Sequence, residues 1–367
     1  MKHIRIDAGF PGGNILVEKI EGDTVALRQD PRDTPIWWFY WRFRIRGAAG
    51  RTVRFVFTDG DVFSAGGPCF SPDGCRWRWL GLDAVKDNAF AFCFPKQMNT
   101  AFFSFCIPYQ EADLRTFIRG RRWIERDDLT RSEQGRRVEH LVLRSVTGRF
   151  RVLLTARHHA CESMANYVME GVLSYWHGRE APAAFLREHV DIHAVPFMDK
   201  DGMELGDQGK CRKPHDHNRD YLKRPRYASV RALMRQLPRW RGEFTLALDL
   251  HCPWIRGDMN HDIHIVEPRG VDTRAMQRFI RALRETQRGP LKYDARNYIP
   301  FGTSWNVEAE GNSVQHFIGP AGGRLAFTLE FPYALSAGRP VTAAGARAFG
   351  RDLGRAIARY VEQGQRG

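Results

Sequence analysis

The sequence contains no apolar run approaching the roughly 18 residues that a membrane-spanning helix needs, and its first ten residues carry charges instead of a hydrophobic signal segment. It also has no internal repeat and no low-complexity tract. We therefore expect a soluble, cytoplasmic protein that does not engage a membrane. With 367 residues, 43% hydrophobic and 27% charged, the chain is long enough for two domains or for one large domain with a small companion.

Cysteine and lysine are both scarce. The seven cysteines are an odd number scattered over a long chain, which fits free thiols better than a disulfide framework. Only 9 lysines stand against 47 arginines in a net charge of +14. Because the arginines are spread along the chain, we expect a basic surface and no nucleic-acid partner; an acidic substrate is the alternative explanation.

The first third of the chain has the pattern of β-structure. Short apolar runs such as 24–27, 36–45 and 52–57 alternate with Gly, Pro and Asp, and they predict an antiparallel β-sandwich over residues 1–115. The aromatic block 37–41 fits a buried sheet core better than a ligand-stacking platform.

Strands and helices alternate in the remainder, residues 116–367, which predicts an α/β domain on a mixed, mostly parallel sheet. The polar stretch 113–137 is predicted to be a helix followed by turns that link the two domains. Beyond it, 150–155 and 244–250 predict buried strands, and 163–176 predicts a helix.

Two histidines and a glutamate follow predicted strands. His159 and Glu162, in the spacing HxxE, come just after the strand 150–155, and His251 follows the strand 244–250. Open α/β sheets place ligands at the carboxyl ends of their strands, and hydrolytic zinc commonly has three protein ligands and one open position. HxxE alone is a weak signal, and a core histidine is the alternative for His251.

Two further segments place polar groups beside apolar strands. Asn218 and Arg219 offer an amide and a planar fork suited to a carboxylate, although a solvated loop is the alternative for this pair taken alone. Glu330 stands at the end of an apolar strand, where a carboxylate is costly unless it is paired or functional.

In this order, and over nearly the whole chain, these segments resemble the zinc carboxypeptidase family of the carboxypeptidase A and B type. Within it they resemble the cytosolic carboxypeptidase branch and its bacterial members. The HPGE motif of that branch is similar to His159-Ala-Cys-Glu162, and its N-terminal sandwich carries patterns similar to Trp38-Phe-Tyr and Cys106-Ile-Pro-Tyr109. The resemblance implies an N-terminal sandwich followed by a zinc-carboxypeptidase α/β/α domain.

Residue by residue, the resemblance implies that His159, Glu162 and His251 bind one Zn²⁺ per chain. It also implies that Asn218 and Arg219 bind the terminal carboxylate of a peptide or protein substrate.

Four more positions receive roles from the same resemblance. Asp216 is expected to orient His159, and Glu330 to act as the general base. Arg212 is nominated to stabilise the oxyanion, but the alignment needs a shortened loop, so Lys210 stays open as the alternative.

The sequence departs from the family pattern in several places. Cys161 and Cys252 flank proposed ligands, and we favour packed thiols over thiolate ligands there. His158 is an alternative metal ligand, although the HxxE register favours its neighbour. Tyr293 and Tyr298 are candidates for the family's substrate-capping tyrosine.

The function that the resemblance implies is zinc-dependent removal of C-terminal residues. A preference for acidic, glutamate-like C-termini is one option that the basic net charge favours, with its determinant expected within 258–298 or 311–323. The alternative enzyme is an aspartoacylase-like zinc deacylase of small N-acyl amino acids, and the alternative of another class is a non-catalytic binding module on the same fold. The oligomeric state is not predicted.

Overall fold

The computed structural model describes residues 3–257, 259–307, 312–319 and 325–364. Strands β1 to β10 are Arg5–Asp7, Leu16–Glu21, Thr24–Arg28, Arg42–Arg46, Thr52–Phe57, Cys69–Ser71, Arg78–Trp79, Val85–Lys86, Ala89–Cys93 and Thr100–Ser104. Strands β11 to β20 are Glu125–Arg131, Arg137–Leu143, Phe150–Ala156, Val190–Val195, Glu243–His251, His264–Val266, Tyr298–Ile299, Ala326–Glu330, Leu335–Ser336 and Arg339–Pro340. Helices α1 to α8 are Glu111–Ile118, Ser163–Trp176, Ala181–His189, Lys200–Leu205, Ala228–Gln236, Thr273–Thr286, Val314–Ile318 and Ala343–Gln363.

Strands β1 to β10 form two five-stranded sheets that face each other. One has the order β1-β4-β10-β6-β7 and the other β2-β3-β5-β9-β8. All pairs are antiparallel except β3 with β5. Phenylalanines fill the space between the sheets, and Phe103 contacts Phe55 and Phe90 at ring distances of 5.1 and 5.3 Å. The predicted sandwich is therefore confirmed, with one parallel pair in it.

The aromatic block 37–41 lies mostly in the core, as predicted. Trp38 to Trp41 are buried, whereas Trp37 is 37% exposed. The predicted strand 36–45 is wrong in its first half, because β4 begins only at Arg42. Residues 37–40, ahead of β4, form hydrogen bonds with Gln208 instead of pairing as a strand. Gln208 is about 170 residues away in the chain, so no local sequence pattern predicts these contacts.

The second half of the chain is built on an eight-stranded mixed sheet of order β11-β12-β14-β13-β15-β18-β16-β17. Its four central strands, β14, β13, β15 and β18, are mutually parallel. Alternate residues of β15 serve opposite faces: Leu246, Leu248 and Leu250 pack in the core shared with α2, α6 and α8, while Ala247 packs with α5 and α7. The predicted α/β class with a mixed, mostly parallel sheet is confirmed.

Helices α2 and α8 cross at van der Waals distance of their backbones. A Cβ on Gly350 would lie 2.1 Å from the main-chain oxygen of Val168, and one on Gly171 would lie 2.3 Å from that of Arg347. Glycine at both positions lets the crossing form over the central strands.

The polar stretch 113–137 differs from its prediction. Its helix exists as α1, but the predicted turns contain β11, an edge strand of the central sheet. Only Leu129 of this strand is buried, so the strand carries no apolar signal. The predicted division at 115/116 falls inside α1, and one cluster of buried side chains runs from the sandwich into the α/β part.

No helix in the described part of the chain combines the length and the apolar character that crossing a bilayer requires.

Two buried histidines connect β12 and β14. His140 Nε2 lies 3.0 Å from His193 Nδ1, and both rings stack on Trp240. Burial lowers the pKa of His140 to about 4 and that of His193 to about 3. Both imidazoles are therefore neutral in the folded protein at neutral pH, whereas in the unfolded chain they titrate near ~6.5.

We expect the free energy of unfolding to fall as the pH drops below about 6.5, because the unfolded chain then binds more protons than the folded one. The slope contributed by each histidine reaches at most about 1.4 kcal/mol per pH unit. Urea unfolding at pH 7.5 and pH 5 should show a smaller loss in the His140→Gln/His193→Gln double variant than in the wild type. A matched change at an exposed position, His177→Gln, should leave the wild-type loss intact. Equal losses in all three proteins would contradict the expectation.

Candidate active site

The HxxE segment lies at the carboxyl end of β13. The strand ends in a tight turn that leads directly into α2, and Glu162 is the N-cap of that helix. Buried Arg157 holds the turn by donating hydrogen bonds to the main-chain oxygens of Tyr109, at 3.0 Å, and of Ala160. His159 and Glu162 thereby face the same point.

His251 reaches that point from the neighbouring parallel strand, β15. Its Nδ1 lies 2.8 Å from Glu162 Oε2, and His159 Nδ1 lies 2.8 Å from Glu162 Oε1. Ligand atoms of the three residues all lie within 4.8 Å of one another. The structure thus brings the three sequence-predicted metal ligands together.

The second nitrogen of each imidazole faces a further carboxylate. His159 Nε2 lies 3.2 Å from Asp216 Oδ2, and His251 Nε2 lies 2.7 Å from Asp249 Oδ2. Carboxylates in this position fix the orientation and tautomer of metal-binding histidines. Asp216 thus lies beside the histidine that it was predicted to orient, whereas Asp249 was not predicted. Asp249 could have been predicted from the sequence, because it stands two residues before His251 and therefore lies on the same face of the strand.

This donor set fits a zinc ion. Two imidazoles and one carboxylate are a ligand set of hydrolytic zinc sites, and each oxygen of the buried Glu162 carboxylate lies 2.8 Å from a histidine nitrogen of the set. Burial alone would raise the pKa of Glu162, but the neighbouring charges of Lys210, His251 and His159 hold that pKa well below its usual range. The carboxylate is therefore ionised, as a ligand must be.

A second cluster in the described residues, formed by His158, Asp249 and His251, is enclosed by protein. His158 is fully buried, with Nδ1 2.8 Å from Asp249 Oδ1 and Nε2 2.8 Å from the hydroxyl of Tyr221. Both of its nitrogens are engaged, and it does not line the cavity described below. This arrangement favours His159 over His158 as the ligand.

The two cysteines beside the ligands are buried. Burial raises the pKa of Cys161 to about 12 and that of Cys252 well above its usual value. The Sγ of Cys161 lies 3.3 Å from the hydroxyl of Tyr333. Protonated, packed thiols account for both positions.

A cavity of about 1430 Å³ opens in front of the metal-binding cluster. Its polar wall includes His159, Lys210, Cys211, Asp216, Asn218, Arg219, His251 and Glu330. Its other walls carry large apolar groups, among them Trp254, Phe301 and Trp305. Of the sequence-predicted residues that would touch substrate, Asn218, Arg219 and Glu330 face this cavity, whereas Arg212 and the two candidate tyrosines do not.

Asn218 and Arg219 lie side by side on one turn after Asp216. The carboxylate of Asp216 accepts a hydrogen bond of 2.7 Å from the main-chain nitrogen of Asn218 and so shapes the turn. Asn218 Nδ2 lies 3.4 Å from His251 Nε2, and its Oδ1 is buried without a partner. The amide and the guanidinium therefore open into the cavity close to the metal ligands.

Lys210, and not Arg212, carries the positive charge at the cluster. Its Nζ contacts Glu162 Oε1 and donates a 2.8 Å hydrogen bond to the main-chain oxygen of Cys252. The guanidinium of Arg212 instead pairs with Asp199 at 2.6 Å and with two further aspartates. Of the two alternatives left open by the sequence, the structure brings only the lysine to the cavity.

Glu330 is the last residue of β18 and stands opposite His251 in the strand register. Its Oε2 is buried without a hydrogen-bond partner. Burial raises the pKa of Glu330, although the charges of His251 and Lys210 oppose that shift. A carboxyl group with a raised pKa on a cavity wall is suited to accept and return a proton.

Neither candidate for the capping tyrosine faces the cavity. Tyr293 is buried, and the hydroxyl of Tyr298 donates a 2.5 Å hydrogen bond to Glu267. The expected specificity segments 258–298 and 311–323 are described only in part, since residues 258, 311 and 320–323 lie outside the described residues.

The chain is similar in sequence to cytosolic carboxypeptidases, although no protein-family model matches it. Human cytosolic carboxypeptidase 6 is 26% identical over 200 residues, which cover 49% of this chain and 40% of the relative. An uncharacterised protein of Zymomonas mobilis is 28% identical over 211 residues, 54% of each chain. The chain thus spans about half or less of the length of these curated relatives.

Solved structures match over nearly the full length. A metallo-carboxypeptidase from Burkholderia cenocepacia has a TM-score of 0.80 at 19% identity, covering 98% of this chain and 100% of that one. A metallo-carboxypeptidase from Pseudomonas aeruginosa, in complex with (2-guanidinoethylmercapto)succinic acid, has a TM-score of 0.81 at 23% identity, covering 98% and 99%. The chain has the metallo-carboxypeptidase fold. The expected resemblance to the zinc carboxypeptidase family, with its cytosolic branch and bacterial members, is confirmed.

Within this metallo-carboxypeptidase fold, Asp249 provides a test of how the ligands are held. We expect Asp249→Ala to lower metal affinity, tested with Zn²⁺ as the probe, by about 10- to 100-fold, because His251 loses the carboxylate that orients it. Competition against a chelator, with metal content measured by mass spectrometry, checks this. Asp191→Asn, at another fully buried carboxylate, should leave zinc affinity unchanged. Unaltered affinity in Asp249→Ala would remove Asp249 from the metal site.

Proposed function

We propose that the chain is a zinc-dependent metallocarboxypeptidase that hydrolyses the C-terminal peptide bond of peptides or proteins. The observation that carries this proposal is the convergence of His159, Glu162 and His251 within 4.8 Å on the wall of a cavity that Arg219 and Glu330 share. The names of the cytosolic relatives and of the bacterial metallo-carboxypeptidase neighbours support it, and a cytoplasmic location is part of the same proposal.

The substrate end is held by Arg219 and Asn218. A planar guanidinium beside an amide can bind a terminal carboxylate at two points, which restricts cleavage to the last peptide bond. The cavity of about 1430 Å³ exceeds the ~300–1,000 Å³ of common small-molecule pockets and has an exposed Trp305 on its wall. Both properties favour a peptide over a small N-acyl amino acid.

Bound zinc would supply a Lewis acid that polarises the scissile carbonyl and lowers the pKa of water toward ~7. Glu330 accepts the proton of the attacking water and returns it to the leaving amine. Its raised pKa suits both transfers, and its position opposite His251 keeps it beside the ligand set. Asp216 and Asp249 hold the two histidine ligands in place throughout.

Lys210 stabilises the negative charge that develops on the carbonyl oxygen. Its ammonium contacts the ligand Glu162 and faces the cavity. It takes the place in which the sequence resemblance expects an arginine. Arg212 is held by three carboxylates outside the cavity and has no such role in the proposal.

A preference for acidic C-terminal residues is a separate part of the proposal. Arg219, the exposed Arg269 and His316 all line the cavity. Burial and these two guanidinium groups lower the pKa of His316, so it adds no charge at neutral pH. A cavity with two arginines favours a substrate that brings a second carboxylate.

A peptide library that differs only at its last residue, analysed by mass spectrometry, tests the activity and its preference together. We expect single C-terminal residues to be released, fastest when that residue is Glu or Asp. Glu330→Gln should keep its zinc and lose turnover, because the base is gone. Glu170→Gln, at another buried glutamate with a raised pKa, should stay active. Release of acetate from N-acetyl amino acids without peptide trimming would favour the deacylase.

Lys210→Met should lower kcat by about 100- to 1,000-fold with little change in KM, as expected for loss of one oxyanion donor. Steady-state kinetics on a single peptide measures this. Lys213→Met removes an exposed lysine from the same loop and should retain wild-type kinetics. If kcat survives in Lys210→Met, the oxyanion is stabilised by another group.

A further inference from the structure

Gln208 joins the N-terminal sandwich to the metal-binding turn. Its main-chain oxygen accepts a 3.0 Å hydrogen bond from the nitrogen of Cys161, inside the HxxE segment. Its side-chain oxygen accepts from the main-chain nitrogens of Phe39 and Tyr40, at 2.7 and 3.3 Å, and its amide nitrogen donates to the oxygen of Trp37 at 2.9 Å. The sandwich segment ahead of β4 thus binds both the oxygen and the nitrogen of this buried amide.

Asp33, from the same part of the sandwich, binds the start of the loop that carries Lys210. Its two carboxylate oxygens accept hydrogen bonds from the main-chain nitrogens of Gln208, at 3.1 Å, and of Gly209, at 2.8 Å. Its main-chain oxygen accepts from the nitrogen of Lys213 at 2.8 Å. One residue of the sandwich therefore fixes the loop on both sides of Lys210.

The loop packs against the metal-binding turn without room for adjustment. Gly209 has φ +82°, and a Cβ on it would lie 2.3 Å from the nitrogen of Ala160 and 2.9 Å from the Cα of His159. Backbone thus lies directly against backbone at the residue before Lys210. Any displacement of the loop changes the position of the Lys210 ammonium relative to the ligands.

Arg212 closes the same junction. Its guanidinium lies 2.6 Å from Asp199, which is the N-cap of α4, 3.0 Å from Asp207 and 3.3 Å from Asp33. It links the loop, α4 and the sandwich in one buried ion cluster.

The sandwich also touches the segment after His251. Trp37 stacks on Trp254 at 5.2 Å with an interplanar angle of 7°, and Trp254 lines the cavity. The ammonium of Lys210 lies 5.9 Å from the Trp254 ring and donates to the main-chain oxygen of Cys252. The sandwich therefore supports both segments between which Lys210 lies.

We propose that Asp33 and Gln208 are positioning residues, through which the N-terminal sandwich sets the place of Lys210 beside the metal ligands. The sandwich is in this sense a structural part of the active site and not an independent module. The kinetic consequence rests on the proposed carboxypeptidase function, whereas the structural consequence does not.

The structural consequence is measured by amide hydrogen exchange resolved to peptides. In Asp33→Ala, exchange over residues 207–213 should accelerate at least tenfold, while β15 stays as protected as in the wild type. Asp7→Ala is the matched control, because Asp7 is a sandwich carboxylate that pairs with Arg44 and Arg46 and does not touch the loop. Equal exchange of the loop in the wild type and Asp33→Ala overturns the proposal, whatever the chain hydrolyses.

The kinetic consequence is measured as kcat against KM on one peptide. Misplacement of a catalytic group by a fraction of an ångström to an ångström lowers rates by up to about 100-fold, so kcat should fall 10- to 100-fold in Asp33→Ala with KM and zinc content retained. In a Lys210→Met background Asp33→Ala should cause no further fall, since its effect runs through Lys210. Equal falls in both backgrounds overturn the proposal.

Conservative variants distinguish a positioning effect from general misfolding of the alanine variants. Asp33→Asn keeps one acceptor and should recover part of kcat, and Gln208→Glu keeps the acceptor for Phe39 and Tyr40 and should shift loop exchange less than Gln208→Ala. Exchange in Gln208→Glu equal to that of Gln208→Ala counts against positioning by this side chain. Absence of any peptide cleavage by the wild type would refute the proposed function, and loop exchange would still decide the positioning.

Discussion

A fully buried carboxylate, Glu162, lies at the centre of the site, and the surrounding groups are arranged to compensate its charge. An unpaired carboxylate in a protein interior costs several kcal/mol even after relaxation. Glu162 is contacted by His159, His251 and Lys210, and the two histidines are in turn bound by Asp216 and Asp249. Acidic and basic groups therefore alternate outward from the centre, and the same arrangement suits a divalent cation.

The parallel strands make this arrangement possible. Because β13, β15 and β18 run in the same direction, their carboxyl ends lie at one edge of the sheet, and each end contributes polar groups to that edge. The turn after β13 brings His159 and Glu162, while β15 and β18 end in His251 and Glu330. The apolar side chains of these strands are buried on both faces of the sheet, so packing fixes the register of the strands. The fixed register in turn fixes the positions of the polar residues at their ends.

The fold class was predicted from local patterns, and most residues of the candidate site were predicted from short motifs that resemble those of a known family. Helix α2 was predicted at its exact bounds from its apolar content, and the two central strands were predicted to within a residue or two at either end. The edge strand β11 was not predicted, because a polar strand at a sheet edge has no apolar face to detect. Asp249 could have been found from its spacing to His251, but the choice between Lys210 and Arg212 could not, since both stand on one loop.

The amino-acid sequence by itself determined which residues could bind a metal, the alternation of strands and helices, and the sandwich that precedes them. Only the tertiary structure decided that Lys210 faces the cavity while Arg212 pairs with Asp33 and two other aspartates. It also decided that the segment 33–40 is hydrogen-bonded to Gln208 and Gly209, at the start of the loop that carries Lys210. The reason is physical: the contacts of the loop with Asp33 and Phe39 join residues about 170 positions apart, and their geometry depends on how two packed units meet, which no local pattern encodes.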